Sequence, residues 1–169
     1  MNKKILVLLL LFIGGCASRA PVVDYSEPED NYSKLSYKKD RLLNRASIGI
    51  YEDYKDCKRL QPVDYSRIVD GKLKVESDQP ITIQIVSGIP THVGVYTCLN
   101  RFSFTPEKDH TYTIKQKLVV EVGYCTVNVY DDESNEAVGI YDRSGLFGCL
   151  DSQLDPSEKK DHAATKLIN

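Results

Sequence analysis

Tryptophan is absent from this 169-residue chain, histidine occurs three times, and eleven tyrosines carry most of the aromatic content. With so few histidines and no C-x-x-C pair among the five cysteines, zinc ligation is not expected. No apolar run approaches the roughly 20 residues that a membrane-spanning helix needs; Ile5–Ile13 has nine. Basic residues are not in excess either, with 22 Lys and Arg against 24 Asp and Glu. Without residues 1–15, which hold Lys3 and Lys4, 20 basic residues face 24 acidic ones, a net charge near −4. That balance leaves no basic face expected for nucleic acid or anionic lipid headgroups. A sustained helical period is missing from the interior of the chain, as is any internal repeat.

What is present begins at the N-terminus. Met1-Asn2-Lys3-Lys4 supplies a positive start, Ile5–Ile13 an apolar stretch, and Gly14-Gly15-Cys16 a small-residue exit, together the pattern of a secretory signal over residues 1–15. A thiol at a signal-peptidase cut site makes poor sense as packing and good sense as a point of lipid attachment. Ile13-Gly14-Gly15-Cys16 resembles the lipobox of bacterial lipoproteins. The resemblance implies a diacylglyceryl thioether on Cys16, cleavage before it and acylation of the new amine. Each buried methylene contributes about 0.8 kcal/mol, so two or three acyl chains hold a soluble domain on a bilayer without a protein span. Ala17 stands where an Asp would resemble the signal for inner-membrane retention, which implies the outer membrane. The competing readings are a spanning helix, for which the run is too short, and an ordinary cleaved signal with Cys16 incidental.

Residues 16–44 are polar and broken by Pro21 and Pro28 and read as a lipidated, flexible tether. As a coil, its 28 residues after Cys16 would reach about 30 Å from the lipid. Residues 151–169 read as a polar tail, in which Ser157 is placed to cap a short helix through Leu167. Between them, residues 45–150 are dominated by a period of two. Ile81, Ile83 and Ile85 alternate with Thr82, Gln84 and Val86, opened by Pro80 and closed by Ser87-Gly88. Further strands are expected over Ala46–Tyr51, Leu73–Glu76, Val93–Thr97 leading to Phe102 and Phe104, His110–Val122, and Ala137–Tyr141. Cys125, Val127 and Val129 share a face taken as inward. The expectation is an all-β, immunoglobulin-like or transthyretin-like antiparallel β-sandwich, with a small closed β-barrel as the alternative.

Besides Cys16, the cysteines are Cys57, Cys98, Cys125 and Cys149. An even number of thiols in an exported chain reads as two disulfides. Three pairings are possible. The layout favours Cys98 with Cys125, across strands flanking one hairpin, and Cys57 with Cys149, tying the loop after the first strand to the C-terminal end.

Constellations that would carry catalysis are sparse. His92 and His110 sit beside turns, and the chain has neither a nucleophile elbow nor a metal-spaced histidine pair. No catalytic residue, metal, cofactor or small-molecule substrate is expected. Asp131-Asp132-Glu133-Ser134-Asn135-Glu136 lacks the spacing of a helix-loop-helix calcium site and reads as a solvated hairpin loop, as does Glu52-Asp53-Tyr54-Lys55-Asp56. Tyr25, Tyr32 and Tyr37 fall in the expected tether, where exposed rings would suit a docking segment.

Cys98-Leu99-Asn100-Arg101-Phe102-Ser103-Phe104-Thr105-Pro106-Glu107, followed by His110-Thr111-Tyr112 and Cys125-Thr126-Val127, resembles a layout found in uncharacterised bacterial lipoproteins. It implies the Cys98–Cys125 pairing and no activity. In size, anchor and expected transthyretin-like fold the chain also resembles the type VI secretion lipoprotein, without a matching motif. Tyr96-Thr97-Cys98 is similar to the Tyr-x-Cys start of C-type lysozyme inhibitors, whose Ser-Gly-x-x-Tyr signature is missing because Leu146-Phe147-Gly148 follows Ser144-Gly145. The expected function is therefore a non-enzymatic binding or structural accessory module, lipid-anchored at the periplasmic face of the outer membrane and partnered by another envelope protein. The alternative is a periplasmic inhibitor of a lysozyme-like cell-wall enzyme.

Overall fold

The computed structural model describes residues 22–44, 46–92, 94–119, 124–144 and 149; Cys16 and the expected tail 151–169 lie outside them. In chain order the elements are β1 (Tyr32–Lys39), β2 (Ser47–Asp53), β3 (Lys58–Pro62), α1 (Tyr65–Val69), β4 (Leu73–Glu76), β5 (Ile81–Thr91), β6 (Gly94–Phe104), β7 (Thr111–Val119), β8 (Tyr124–Asp131), β9 (Ala137–Val138) and β10 (Tyr141–Asp142). They form two five-stranded sheets, ordered β4-β1-β7-β8-β9 and β10-β6-β5-β2-β3. Two open sheets packed face to face make a β-sandwich and replace the closed barrel as an alternative. Among the described residues no helix is long and apolar enough to cross a membrane.

Alternation builds the core. Ile81, Ile83 and Ile85 of β5 point inward with Ile48 and Ile50 of β2 and Phe102 and Phe104 of β6. They meet Leu35 and Tyr37 of β1, Leu73 and Val75 of β4, Tyr112 and Ile114 of β7 and Val129 of β8. The Phe104 and Tyr112 rings cross the layers edge to face, with centroids 5.4 Å apart, the arrangement that aromatic quadrupoles prefer. An immunoglobulin-like sheet pairs its first two strands. Here β1 pairs with β4 and β7, and β2 with β3 and β5 in the opposite sheet, so the first two strands fall in different layers.

Two expectations about the N-terminal half are corrected. The segment 16–44 is not a tether throughout, because residues 32–39 form β1 in the interior of the first sheet. Ser33, Leu35 and Tyr37 are buried while Lys34 and Lys38 are exposed, so this is a period-two strand whose outer face is wholly polar. Two large apolar residues in eight look hydrophilic along the chain; neighbours on both sides supply the burial. The same strand makes the first sheet mixed rather than antiparallel, since β1 runs parallel to β7, with Leu35 opposite Tyr112 and Tyr37 opposite Ile114. Upstream of it, the Tyr25 amide donates to the Pro62 carbonyl at 3.0 Å, and Arg67 pairs with Glu27 at 2.6 Å. Residues 22–31 thus follow the sandwich's side, where β3 and β4 are the sheet edges.

The expected stop at Ser87-Gly88 is also overtaken. The β5–β6 ladder continues to Thr91 opposite Gly94, and Gly94 turns the chain at φ 146°, a conformation that side chains disfavour. Gly88 sits inside the ladder because a Cβ there would stand 3.0 Å from Val95 Cγ1. β3 and α1 were not expected. Lys58-Arg59-Leu60-Gln61-Pro62 carries no apolar alternation and forms only an edge strand, where a proline is tolerated. Asp64 caps α1 by accepting from the Ser66 amide at 2.9 Å.

Candidate interaction surface

The four cysteines of the domain pair as expected. Cys98 joins Cys125 with Cα atoms 5.8 Å apart, and Cys57 joins Cys149 at 5.4 Å. The first bond has a role the linear layout did not show: β6 and β8 belong to opposite sheets, so it rivets the two layers together. The second closes the β2–β3 turn onto the C-terminal end, beside Arg101, whose Nη1 lies 3.3 Å from Cys149 Sγ. Cys16, the expected lipid site, lies outside the described residues.

Between the layers next to the Cys98–Cys125 bond lies a polar cluster that sequence reasoning missed. Gln116 of β7 is 1% exposed. Its Oε1 accepts from the Tyr37 hydroxyl at 2.5 Å and from the Ser87 hydroxyl at 2.7 Å; its Nε2 donates to Asn100 Oδ1 at 2.7 Å. Asn100 in turn donates to the Cys125 carbonyl at 3.1 Å. Five strands from both sheets are thereby registered, and burial pushes the Tyr37 hydroxyl pKa up to about 12.

The two candidate histidines are not brought together. His92 is exposed in the β5–β6 turn. His110 stands at the opposite end, its Nδ1 2.6 Å from Asp131 Oδ2 and its ring stacked on Tyr112. Asp131 also accepts from the Glu133 and Ser134 amides, at 2.8 and 3.4 Å, which folds the acidic stretch into a compact β8–β9 turn. Among the described residues, no hydroxyl or thiol hydrogen-bonds the His110 ring. Nor is any group of three or more His, Cys, Asp or Glu there placed to hold a metal ion.

The Asp131 hydrogen bond, helped by the Glu133 and Glu107 charges, raises the His110 pKa above its ordinary 6.5. For Asp131 burial acts upward, but the bonds from His110 and the two amides outweigh it and its pKa lies below the ordinary 3.8. A raised histidine stabilises fully below its unfolded pKa and loses that contribution as pH rises through the folded value. A lowered carboxylate contributes above its unfolded pKa and loses it as pH falls through the folded value. The pair is therefore strongest between about pH 4 and 6.5. Asp131→Asn is expected to lower Tm more at about pH 5 than at about pH 9; equal losses at both would show that the ion pair contributes nothing.

The expected docking tyrosines are placed differently. Tyr37 is buried, Tyr25 packs against the core, and Tyr32 lies on the outer face of the first sheet under Lys74, with Nζ 4.0 Å from the ring centroid. That outer face is where charge collects. Alternation puts Lys74 of β4, Lys34 and Lys38 of β1, and Lys115 and Lys117 of β7 on it, interleaved with Ser36, Thr113, Thr126, Asn128, Tyr124 and Tyr130. Glu76 is the acidic residue that shares it, with Asp132 at its rim, held by the Thr113 hydroxyl at 2.9 Å. Lys34 lies directly opposite Lys74, and Lys38 directly opposite Lys115. Among the described residues none of the five lysines forms a salt bridge.

The absence of a basic face, expected from the net charge, is thus corrected: the total is acidic, but five lysines from three strands share one sheet face. Acidic residues gather at the end of the sandwich that carries Asp78, Glu107, Asp109 and Asp131–Glu136. The opposite end holds exposed apolar groups, with Leu42 48%, Val95 64%, Tyr96 61% and Tyr124 40% exposed, and the uncharged hairpin tip. The signal was available in Lys34-x-Ser36-x-Lys38 and Lys115-x-Lys117, read at a period of two. It is masked along the chain because the first stretch lies in a polar, proline-broken segment that reads as a tether. No protein-family model, curated protein or solved structure gives a significant match to the chain.

Proposed function

We infer that this is an exported, lipid-anchored envelope protein that works by contact rather than catalysis, as a binding or structural accessory module of the outer membrane's periplasmic face. The supporting observation is a sandwich with both disulfides formed, Cys57–Cys149 and Cys98–Cys125. Such bonds belong to an oxidising compartment outside the cytosol, the destination implied by Lys3-Lys4, Ile5–Ile13 and Cys16. The sandwich presents a lysine- and tyrosine-bearing sheet face, a surface suited to contact with a partner. Anchoring adds effective concentration, so even weak contacts at that face suffice.

Two measurements test the reading. Labelled palmitate is expected to enter the expressed full chain and to be lost with Cys16→Ser, and globomycin is expected to accumulate the unprocessed precursor. Unlabelled product of unchanged size would sink the anchor. In-cell crosslinking from the lysine face then identifies what it touches. A second reading, inhibition of a lysozyme-like enzyme, draws on the acid-rich end around Asp131–Glu136, which suits a basic enzyme surface; failure to inhibit lysozyme in a turbidity assay would remove it.

A further inference from the structure

We propose that the lysine face of the first sheet lies against the anionic phospholipid headgroups of a bilayer, with Tyr124 and Leu42 at its apolar margin. The proposal rests on the anchored reading above and names what the contact surface meets. Three observations converge on it. First, like charges set directly opposite on neighbouring strands are destabilising, yet Lys34 faces Lys74 and Lys38 faces Lys115. A chain with 24 acidic residues had ample means to neutralise them. Such pairs become favourable when a dense layer of fixed negative charge covers the sheet, and a bilayer surface is flat on the scale of a sheet face.

Second, the edge of the face is apolar and aromatic where an interface requires it. Tyr124 belongs to the same outer face of β8, and Leu42 stands in the β1–β2 connection after exposed Arg41, its amide donating to Asp40 Oδ1 at 3.0 Å. Tyrosine settles at the headgroup level of membranes because its ring is apolar and its tip wet. The acidic β8–β9 turn, Asp131–Glu136, lies at the other end of the sandwich from Tyr124. Third, the chain enters beside this face. Just before β1, Asn31 accepts from the Ser77 amide and donates its Nδ2 to the Ser77 carbonyl, both at 3.2 Å, and Ser77 directly follows β4, the edge strand that carries Lys74. Val22 is six residues after Cys16, so an acyl chain on Cys16 enters a bilayer within about 20 Å of that point. The earlier picture of a long, free tether would have given no such constraint.

The test uses the mature chain carrying Cys16→Ser, so that binding does not depend on acylation, in flotation with phosphatidylcholine vesicles with or without about one-third phosphatidylglycerol. Flotation is expected with the anionic vesicles alone and is expected to fall with added salt. Lys34→Gln/Lys38→Gln/Lys115→Gln is expected to lower the partition coefficient about a hundredfold, at about fivefold per lysine. That variant should also keep or raise its Tm, since it removes both like-charge pairs, so lost binding is not misfolding. Lys108→Gln, in the loop at the acidic end, is expected to change nothing. Amine acylation read by mass spectrometry should show Lys34, Lys38, Lys74, Lys115 and Lys117 protected by anionic vesicles, and Lys55 and Lys108 unprotected. Equal flotation with both vesicle types, no flotation with either, or protection of the five lysines by self-association without vesicles would overturn the proposal. Failure of palmitate labelling is a separate result and would strike the anchor, not this face.

Discussion

Replacing Cys57 and Cys149 together by serine is expected to lower the unfolding free energy by about 4–5 kcal/mol. The bond closes a loop of sequence separation 92; in the chain-entropy account the cost grows with the logarithm of loop length and reaches about 4.6 kcal/mol at that separation. The Cys98–Cys125 bond, with a separation of 27, gives about 3.6 kcal/mol on the same basis. Domains of this size have net stabilities of about 5–15 kcal/mol, so either loss takes a large share. Urea titration of the two double variants checks both size and order. A larger loss at Cys98/Cys125 would mean that riveting the two sheets, a native-state effect, outweighs the entropy of the longer loop.

Gln116→Leu is expected to cost about 3–4 kcal/mol, although it exchanges a polar side chain for an apolar one of similar size in a core. Unsatisfied buried polar groups cost about 1–3 kcal/mol each. The change removes the shared acceptor of the Tyr37 and Ser87 hydroxyls and the donor to the Asn100 carbonyl oxygen at once. A double-mutant cycle with Tyr37→Phe separates this from a general packing defect. Tyr37→Phe should cost clearly less in the Gln116→Leu background than alone, with a coupling of about 1 kcal/mol or more. Additive losses would show that the cluster does not act as a unit. The cluster lies beside Cys98–Cys125, so hydrogen exchange should rise at Asn100 and Cys125 in the variant.

How much of this was legible varies by element, for physical reasons. Ile81, Ile83 and Ile85 announced β5 because burial on one face and solvent on the other write themselves as alternation. Leu73–Glu76 was read to its exact ends. β1 is hard to see because its pairing partners in β4 and β7 lie 38–44 and 77 positions away and its two inward residues, Leu35 and Tyr37, are buried by the core between the sheets. β3 was missed because an edge strand packed on one side needs little apolar content. The disulfide partners were legible from strand placement, but the layer-crossing geometry of Cys98–Cys125 was not, since sheet membership is a property of pairing. Gln116 stands between two lysines along the chain, and only the inward register of β7 buries it.

The surface follows the same division. From composition and local pattern alone came a β-rich domain, an even set of cysteines suited to two bridges, and a net acidic charge. These depend on residue type and on a period of two, both local quantities. Tertiary structure alone decided that residues 32–39 belong to the domain, that β1 runs parallel to β7, and that five lysines from three strands share one face. Charge adds along a chain without regard to position, whereas a surface is built by pairing distant strands in register, so a basic face can stand on an acidic protein unannounced by its sum.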